Sequence, residues 1–440
     1  MISSLFYFIL KLTLFFKKSG YMSENLSEKL FAHDFNVQET STIIANSATK
    51  KNHKQDNVVM EGEERPGWYR LLKFMLWSWQ GLDLIDCYEV LARISASTHQ
   101  RSDQDVLDSV IGFHSGNWSY EWTQKAMFYY KQGKEYAQQG ETENAQKAYY
   151  LASQFYSIAS YPQLKGDELS LQAQVLAFNN YKESAKYNNK MILKEIKVPF
   201  QGKEVTCYLH LPDDETIHPV VIISGGLDTL QCELLPLFEK ELAPAGIAML
   251  TVDLPGIGFS SHVKLDQNSS SLHQAICHFL KGVPWVDHDR IALMGIRFGG
   301  NVAARLAFLE PDCVKSVVCV GAAVGSIFDN FDNFKKLPPM LLDCIASRMQ
   351  INNSSADMLY KFCVPLSLIK QGLLARTRIK TPLLSIGHKD DIICNQQDLK
   401  LIARASREGE SHIIDKAPIF ESYLKSLSYS AKWLTIHLAE

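Results

Sequence analysis

The chain has 440 residues, 46% of them hydrophobic and 21% charged, with a formal net charge of −3. Such a chain buries a large core, and because single cores stop growing near ~250 to 300 residues, two domains are expected. Both signs of charge are interspersed, with no basic stripe among aromatics, which argues against nucleic acid as a partner. The nine cysteines are scattered and form no C-x-x-C, so neither a disulfide framework nor a metal site is expected, and a reducing cytoplasm fits best.

Residues Ile2 to Phe16 are almost wholly apolar, but Lys11 interrupts them and Lys17-Lys18 follows rather than precedes. The run is also short for a membrane span, which needs about 20 residues. Residues 1–21 therefore read as an upstream extension from a misplaced start, with Met22 opening polar sequence. No membrane association is expected unless 1–21 are translated and act as an anchor. Residues 22–67 are polar and unpatterned and read as a flexible segment.

From Trp68 the grammar changes. Leu71, Leu72, Met75, Leu76 and Trp79 form one stripe at helical spacing, and Ala145, Ala148, Tyr149, Ala152, Phe155 and Tyr156 form another, which predicts a helical domain over 68–190. Within it, His114-Ser115-Gly116-Asn117-Trp118 reads as an ordered turn before a helix starting near Tyr120, with a site-lining role as the alternative.

After Ile192 strand-like runs alternate with helical ones: Leu193–Val198, Val205–Leu211, Val220–Ser224, Ala248–Asp253, Ile291–Gly295, Val314–Val320, Pro382–Ile386 and Ser411–Ile414. The first two suggest a hairpin. The rest suggest crossover units, so 191–440 is expected to be an α/β domain, its sheet mostly parallel with helices on both faces. Residues 326–378, helical in composition and lying between two strands, read as a lid inserted over the strand ends.

Within this domain Gly295-Ile296-Arg297-Phe298-Gly299-Gly300 joins an apolar strand-like run to a helical one. That is the strand-turn-helix context of a nucleophile elbow, G-x-S-x-G, with an arginine where the nucleophile stands. Gly295 and Gly299, with Gly300 after them, permit the sharp turn and the close helix packing.

The other motifs follow in hydrolase order: Ser224-Gly-Gly-Leu-Asp228 where an oxyanion loop belongs, Asp253 to Ser261 after the next strand, and Gly387-His388-Lys389-Asp390-Asp391 at the acid position. The chain thus resembles the α/β-hydrolase superfamily. With G-x-R-F-G-G at the elbow and the upstream helical stretch, it resembles the fermentation-respiration switch protein (FrsA) family over nearly everything after Met22. The resemblance implies an α/β-hydrolase fold with an N-terminal helical domain and a helical lid, and hydrolysis of a carboxylic ester. The family's name also implies a metabolic regulator that engages a sugar-phosphotransferase component.

A serine-type mechanism needs a hydroxyl, a histidine, a carboxylate and two N–H donors for the oxyanion. Arg297 cannot be the nucleophile, because a guanidinium stays protonated and offers donors but no lone pair. After the last strand, Asp415-Lys416-Ala417-Pro418-Ile419-Phe420 contains no histidine, and His412 lies earlier, where a half-buried strand residue is expected. Phe298 N–H stands where one oxyanion donor belongs, and Gly226 or Leu227 can supply the second. Hydrolysis would then use a water handled by Asp228 or Asp391, with Arg297 stabilising the oxyanion. Asp390 is expected to face solvent or to cap a helix.

A cation at a helix N-terminus opposes the helix dipole by roughly 0.3 to 1 kcal/mol, so an anion should compensate. Asp228 and Asp391 are the internal candidates, and a substrate carboxylate or phosphate is the external one. Direct pairing would favour a closed structural site. Arg297→Ala is expected to lower turnover and leave folding intact. Ser260 and Ser261 read as loop-shaping residues, and His273 and His278 are five apart, the wrong spacing for shared metal ligation. No cofactor is expected. Three functions stand: hydrolysis of a small carboxylic ester, cofactor-free decarboxylation of a 2-oxo acid that lacks an evident electron sink, and a non-catalytic regulator using the fold as a scaffold.

Overall fold

The computed structural model describes residues 39–41, 44, 58–351, 355–374 and 378–439. The expectations for residues 1–21, and for most of 22–57, lie outside them. Among the described residues no helix is long and apolar enough to cross a membrane.

A short hairpin, β1 (Val58–Val59) and β2 (Gly62–Glu63), precedes five helices: α1 (Phe74–Trp79), α2 (Leu84–Ser95), α3 (Trp118–Gln139), α4 (Thr142–Ser160) and α5 (Glu168–Lys186). Local chemistry sets their ends. Asp83, Asn117 and Asp167 cap α2, α3 and α5 by accepting from Ile85, Tyr120 and Ser170 N–H. Gly140, at φ 78°, ends α3 in the left-handed conformation. The His114–Trp118 segment is the turn expected, although α3 begins two residues before Tyr120, because Asn117 is the cap.

The main sheet has eight strands, β3 (Ile192–Phe200), β4 (Lys203–Leu211), β5 (His218–Ser224), β6 (Ala248–Val252), β7 (Val286–Ile296), β8 (Ser316–Val320), β9 (Leu383–His388) and β10 (Gly409–Ile414). Their order is β3-β4-β6-β5-β7-β8-β9-β10. β4 runs antiparallel to both its neighbours, and every other pairing is parallel. All the strands expected from sequence are present. The β3–β4 hairpin turns on Gln201 and Gly202, both at positive φ, as a two-residue turn matched to strand twist requires.

Alternation along the strands sends side chains to two apolar layers. Val220, Ile222, Leu293 and Val317 pack beneath α6 (Ser271–Leu280) and α7 (Phe298–Leu309). Val221, Ile223, Met294 and Val318 join a cluster that also contains Trp118, Trp122 and Phe155 of the helical stretch and Tyr423 and Leu427 of the C-terminal helix. The helical stretch and the sheet therefore share a core, and the described residues from Glu39 onward form one compact unit.

Between β8 and β9 lie α8 (Pro339–Arg348) and α9 (Ala356–Cys363), preceded by two single-turn helices. Arg348 is fully buried. It donates to the carbonyls of Leu227 (2.8 Å), Gln163 (2.6 Å) and Pro162 (2.7 Å), pinning this insertion to the loop after β5 and to the helical stretch. The chain ends in α10 (Gln396–Arg404), β10 and α11 (Ile419–Ala439).

Part of the 22–67 stretch, expected to be flexible, is packed. Glu39 accepts from Gly112 N–H at 2.6 Å, Thr40 N–H donates to Asp167 at 2.8 Å, and Val59 and Glu61 are buried. Polar composition misled the reading because these polar groups are satisfied inside the protein rather than by water.

Candidate active site

The elbow has the geometry its glycines imply. Arg297 sits at φ 58°, ψ −114°, a region that side chains other than glycine rarely enter, between β7 and α7. Its N–H donates to Val320 O at 2.9 Å, and its carbonyl accepts from Gly300 N–H and Ala323 N–H, both at 3.1 Å. A Cβ on Gly295 would collide with the Gly299 carbonyl, one on Gly299 with the Ser224 carbonyl, and one on Gly300 with Ala322. These glycines let the helix close onto the sheet.

The Arg297 side chain is buried, the whole residue 2% exposed, and four of its five N–H donors bond to protein acceptors. Nη1 and Nη2 grip Asp391 as a fork, Nη2 to Oδ1 at 3.1 Å, while Nη1 also reaches Gly321 O at 3.3 Å. Nε lies 3.1 Å from Glu61 Oε1 and 3.0 Å from Oε2. Gly321 at φ 53° makes room, since a Cβ there would meet Nη1. Burial alone would lower the guanidinium pKa. Asp391 first and Glu61 second nevertheless hold it well above its ordinary value, so the group is permanently charged.

Asp391, just after β9, contacts Arg297 as one of the two expected partners. Asp228 does not. It pairs instead with Lys73, Nζ to Oδ2 at 2.9 Å, both side chains buried. The reason is reach: Lys73, just before α1, enters from the helical stretch and also lies 4.6 Å over the Tyr161 ring. Glu61 and Lys73 are the site residues the sequence reading missed. Lys73 carried a signal, a lone charge inside the apolar run Leu71-Leu72-Lys73-Phe74-Met75-Leu76. Glu61, in a polar stretch 236 residues from Arg297, carried none.

Burial is the main cause that raises the pKa of Glu61; Arg297 opposes it, and Asp228 and Asp391 add to it. Burial lowers the pKa of Lys73, but Asp228, Glu233 and Glu61 together raise it above its ordinary value. The result is a buried, interlocked cluster.

The other expected parts fall as follows. Gly226 lies against the Arg297 stem and Asp228, its Cα facing both. Leu227 is buried, its carbonyl held by Arg348. Phe298 begins α7 with its ring edge-on to Phe328 of the insertion at 5.9 Å. Asp390 faces solvent. His412 lies in β10 stacked on Tyr429 at 4.1 Å, among none of the groups that contact Arg297. His388 fixes the loop where a triad histidine would stand: its Nε2 bonds Ala417 O at 2.9 Å and Nδ1 accepts from Asp390 N–H at 3.1 Å. Ser260 is buried and Ser261 exposed. His273 bonds Ser224 Oγ at 2.6 Å, and His278 bonds Glu310 at 3.0 Å, so the two serve separate contacts.

Beside this loop a pocket of about 20 Å³ opens between the β1–β2 hairpin, α1 and α11, enough for a water-sized group. Glu61 and Lys73 line it with Leu72, Phe74, Phe420 and Tyr423.

The family model described as Esterase FrsA-like matches residues 21–439. The chain belongs to the FrsA-like esterase family. This FrsA-like chain is 39% identical to Esterase FrsA of Photobacterium profundum, covering 94% of this chain and 98% of that protein. It is 40% identical to Esterase FrsA of Yersinia pestis (strain Pestoides F), covering 93% and 98%. Among solved structures, the 2,6-dihydroxy-pseudo-oxynicotine hydrolase shares its fold at TM-score 0.66 and 16% identity, covering 82% of this chain and 95% of that one. AbyA5 does so at 0.57 and 18%, covering 81% and 98%. The fold is that of the α/β-hydrolases, and the FrsA-like relatives make this chain an esterase-like hydrolase.

Proposed function

We propose that the protein hydrolyses a carboxylic ester by direct attack of water, with no covalent acyl-enzyme. Glu61 takes one proton from the water as its oxygen bonds to the ester carbonyl carbon. The carbonyl oxygen becomes an oxyanion, held by Phe298 N–H and by Gly226 or Leu227 N–H within the field of Arg297. Collapse breaks the bond to the alkoxide, which recovers the proton from Glu61, leaving acid and alcohol. All three carboxylates of the cluster are paired, Asp391 and Glu61 with Arg297 and Asp228 with Lys73, so pairing alone does not choose among them. The supporting observation is that Glu61 is the carboxylate of this cluster that lines the pocket. Its raised pKa also moves it toward the range where a general base is effective. Glu61→Gln should lower kcat on a short-chain p-nitrophenyl ester roughly 100-fold or more with little change in KM. Wild-type kcat in a folded variant would remove Glu61 from the mechanism.

The direct Arg297–Asp391 pair supports a second reading, a closed structural site on a scaffold that binds a sugar-phosphotransferase component in the cytoplasm. Absence of hydrolysis by the pure protein, together with a stoichiometric partner recovered by pull-down, would select it. Decarboxylation of a 2-oxo acid has no comparable support, because the Arg297 fork that would grip the carboxylate is filled by Asp391.

A further inference from the structure

We infer that Cys277 and Cys313 form a modification site, a dithiol that a peroxide converts reversibly into a disulfide fastening α6 to the end of the elbow helix α7. The site is independent of how the ester is hydrolysed.

The fold brings the two thiols together, although 36 positions separate them in sequence. Cys277 lies on the buried face of α6 and Cys313 in the turn between α7 and β8, both within one apolar layer. Their side chains meet as hydrogen-bond partners. Glu310 holds the two segments in register. Its carboxylate bonds Gln274 Nε2 and, at 3.0 Å, His278 Nε2, which stand on α6 to either side of Cys277, while its carbonyl accepts from Cys313 N–H at 3.1 Å. A disulfide needs Cβ atoms roughly 3.5 to 4.5 Å apart, and thiols already in contact approach that separation by side-chain rotation.

The two sulfurs differ in access and in charge. All nine cysteines are buried, eight of them at 0% exposure, whereas Cys313 keeps 7% beneath the exposed Pro311-Asp312 turn, so a small oxidant meets it first. The hydrogen bond from Cys277 draws the Cys313 thiol below its ordinary range; Lys281 and His278 assist, while burial and Glu310 oppose. The same hydrogen bond, together with burial, pushes Cys277 well above its own range. Cys313 is therefore the attacking thiolate and Cys277 the resolving thiol.

The Cys313 thiolate attacks a peroxide oxygen and the O–O bond breaks. The departing hydroxide takes up the proton that Cys313 had released, giving water and a sulfenic acid on Cys313. The Cys277 sulfur then attacks that sulfur, the S–O bond breaks, and the second hydroxide leaves as water with the Cys277 proton. Two electrons pass from the thiols to the peroxide, and a dithiol reductant returns them.

The test treats the full chain with hydrogen peroxide, blocks the remaining thiols with N-ethylmaleimide in denaturant, and maps the peptides without reductant. A peptide cross-linked through Cys277 and Cys313 should appear at least about tenfold faster than modification of any of the other seven cysteines, and dithiothreitol should remove it. Cys277→Ser should leave Cys313 as a sulfenic acid that dimedone traps, and Cys313→Ser should protect Cys277. No cross-link in the wild type, a cross-link of either residue to a different cysteine, or rapid oxidation of Cys277 in a folded Cys313→Ser protein would overturn the inference. The wild-type map decides even if a variant fails to fold.

Discussion

Arg297 holds its place by pairing, and pairing makes it structural as well as electrostatic. Removing one partner of a buried ion pair leaves the others charged in a poor dielectric, a loss of about 3 to 5 kcal/mol. Arg297→Ala, first expected to fold normally, should therefore lose stability of that order in urea unfolding, because Asp391 and Glu61 are stranded. Arg297→Lys should recover only part, since an ammonium cannot span both Asp391 oxygens. Arg297, Asp391 and the elbow glycines were legible in sequence because their spacing is fixed by one strand-turn-helix and one strand end. Glu61 was not. Its role comes from a tertiary contact that no local period encodes, and Asp228 was placed in the loop correctly but assigned the wrong partner for the same reason.

At the scale of elements, the central strands were readable because β5, β6 and β8 are apolar runs buried at nearly every position, whereas β3 and β10 carry charged or polar residues between their apolar ones. The β1–β2 hairpin escaped notice because strands of two residues have no period to detect. Two tethers are testable, Arg348 between the insertion and the loop after β5 and Asp167 between Thr40 and α5. Arg348→Met should strand the carbonyls of Leu227, Gln163 and Pro162, costing about 3 kcal/mol or more. Hydrogen exchange of the 225–230 loop should accelerate in that variant, whereas unchanged protection would mean that the insertion does not hold the loop. Asp167 both caps α5 and receives Thr40 N–H. Asp167→Ala should cost about 2 to 3 kcal/mol by chemical denaturation, more than an isolated cap.

For the whole molecule, the shared apolar cluster joins what looked like two domains. Chain composition predicted enough core for two, but it could not show that Trp118, Trp122 and Phe155 pack into the same cluster as the sheet. Residues 191–440 expressed alone should be insoluble or molten by near-UV dichroism. Acid stability is also set inside this core. His210, on β4, bonds Tyr181 Oη at 2.6 Å, and burial lowers its pKa from 6.5 to about 4. The folded state therefore binds a proton less readily than the unfolded state, and stability is lost as pH falls from 6.5 toward 4. His210→Gln lacks that penalty, so its deficit against wild type should narrow by about 2 kcal/mol between pH 7 and pH 5. A deficit independent of pH would show that the imidazole charges without cost.

Catalysis without a nucleophile is tested most directly by intact-mass spectrometry after fluorophosphonate treatment, with ester turnover followed in the same sample. Unchanged mass with undiminished turnover is the expected result, since Arg297 occupies the elbow and offers no group to phosphonylate. An adduct on Ser260, Ser261 or any other serine, accompanied by loss of turnover, would contradict direct attack by water.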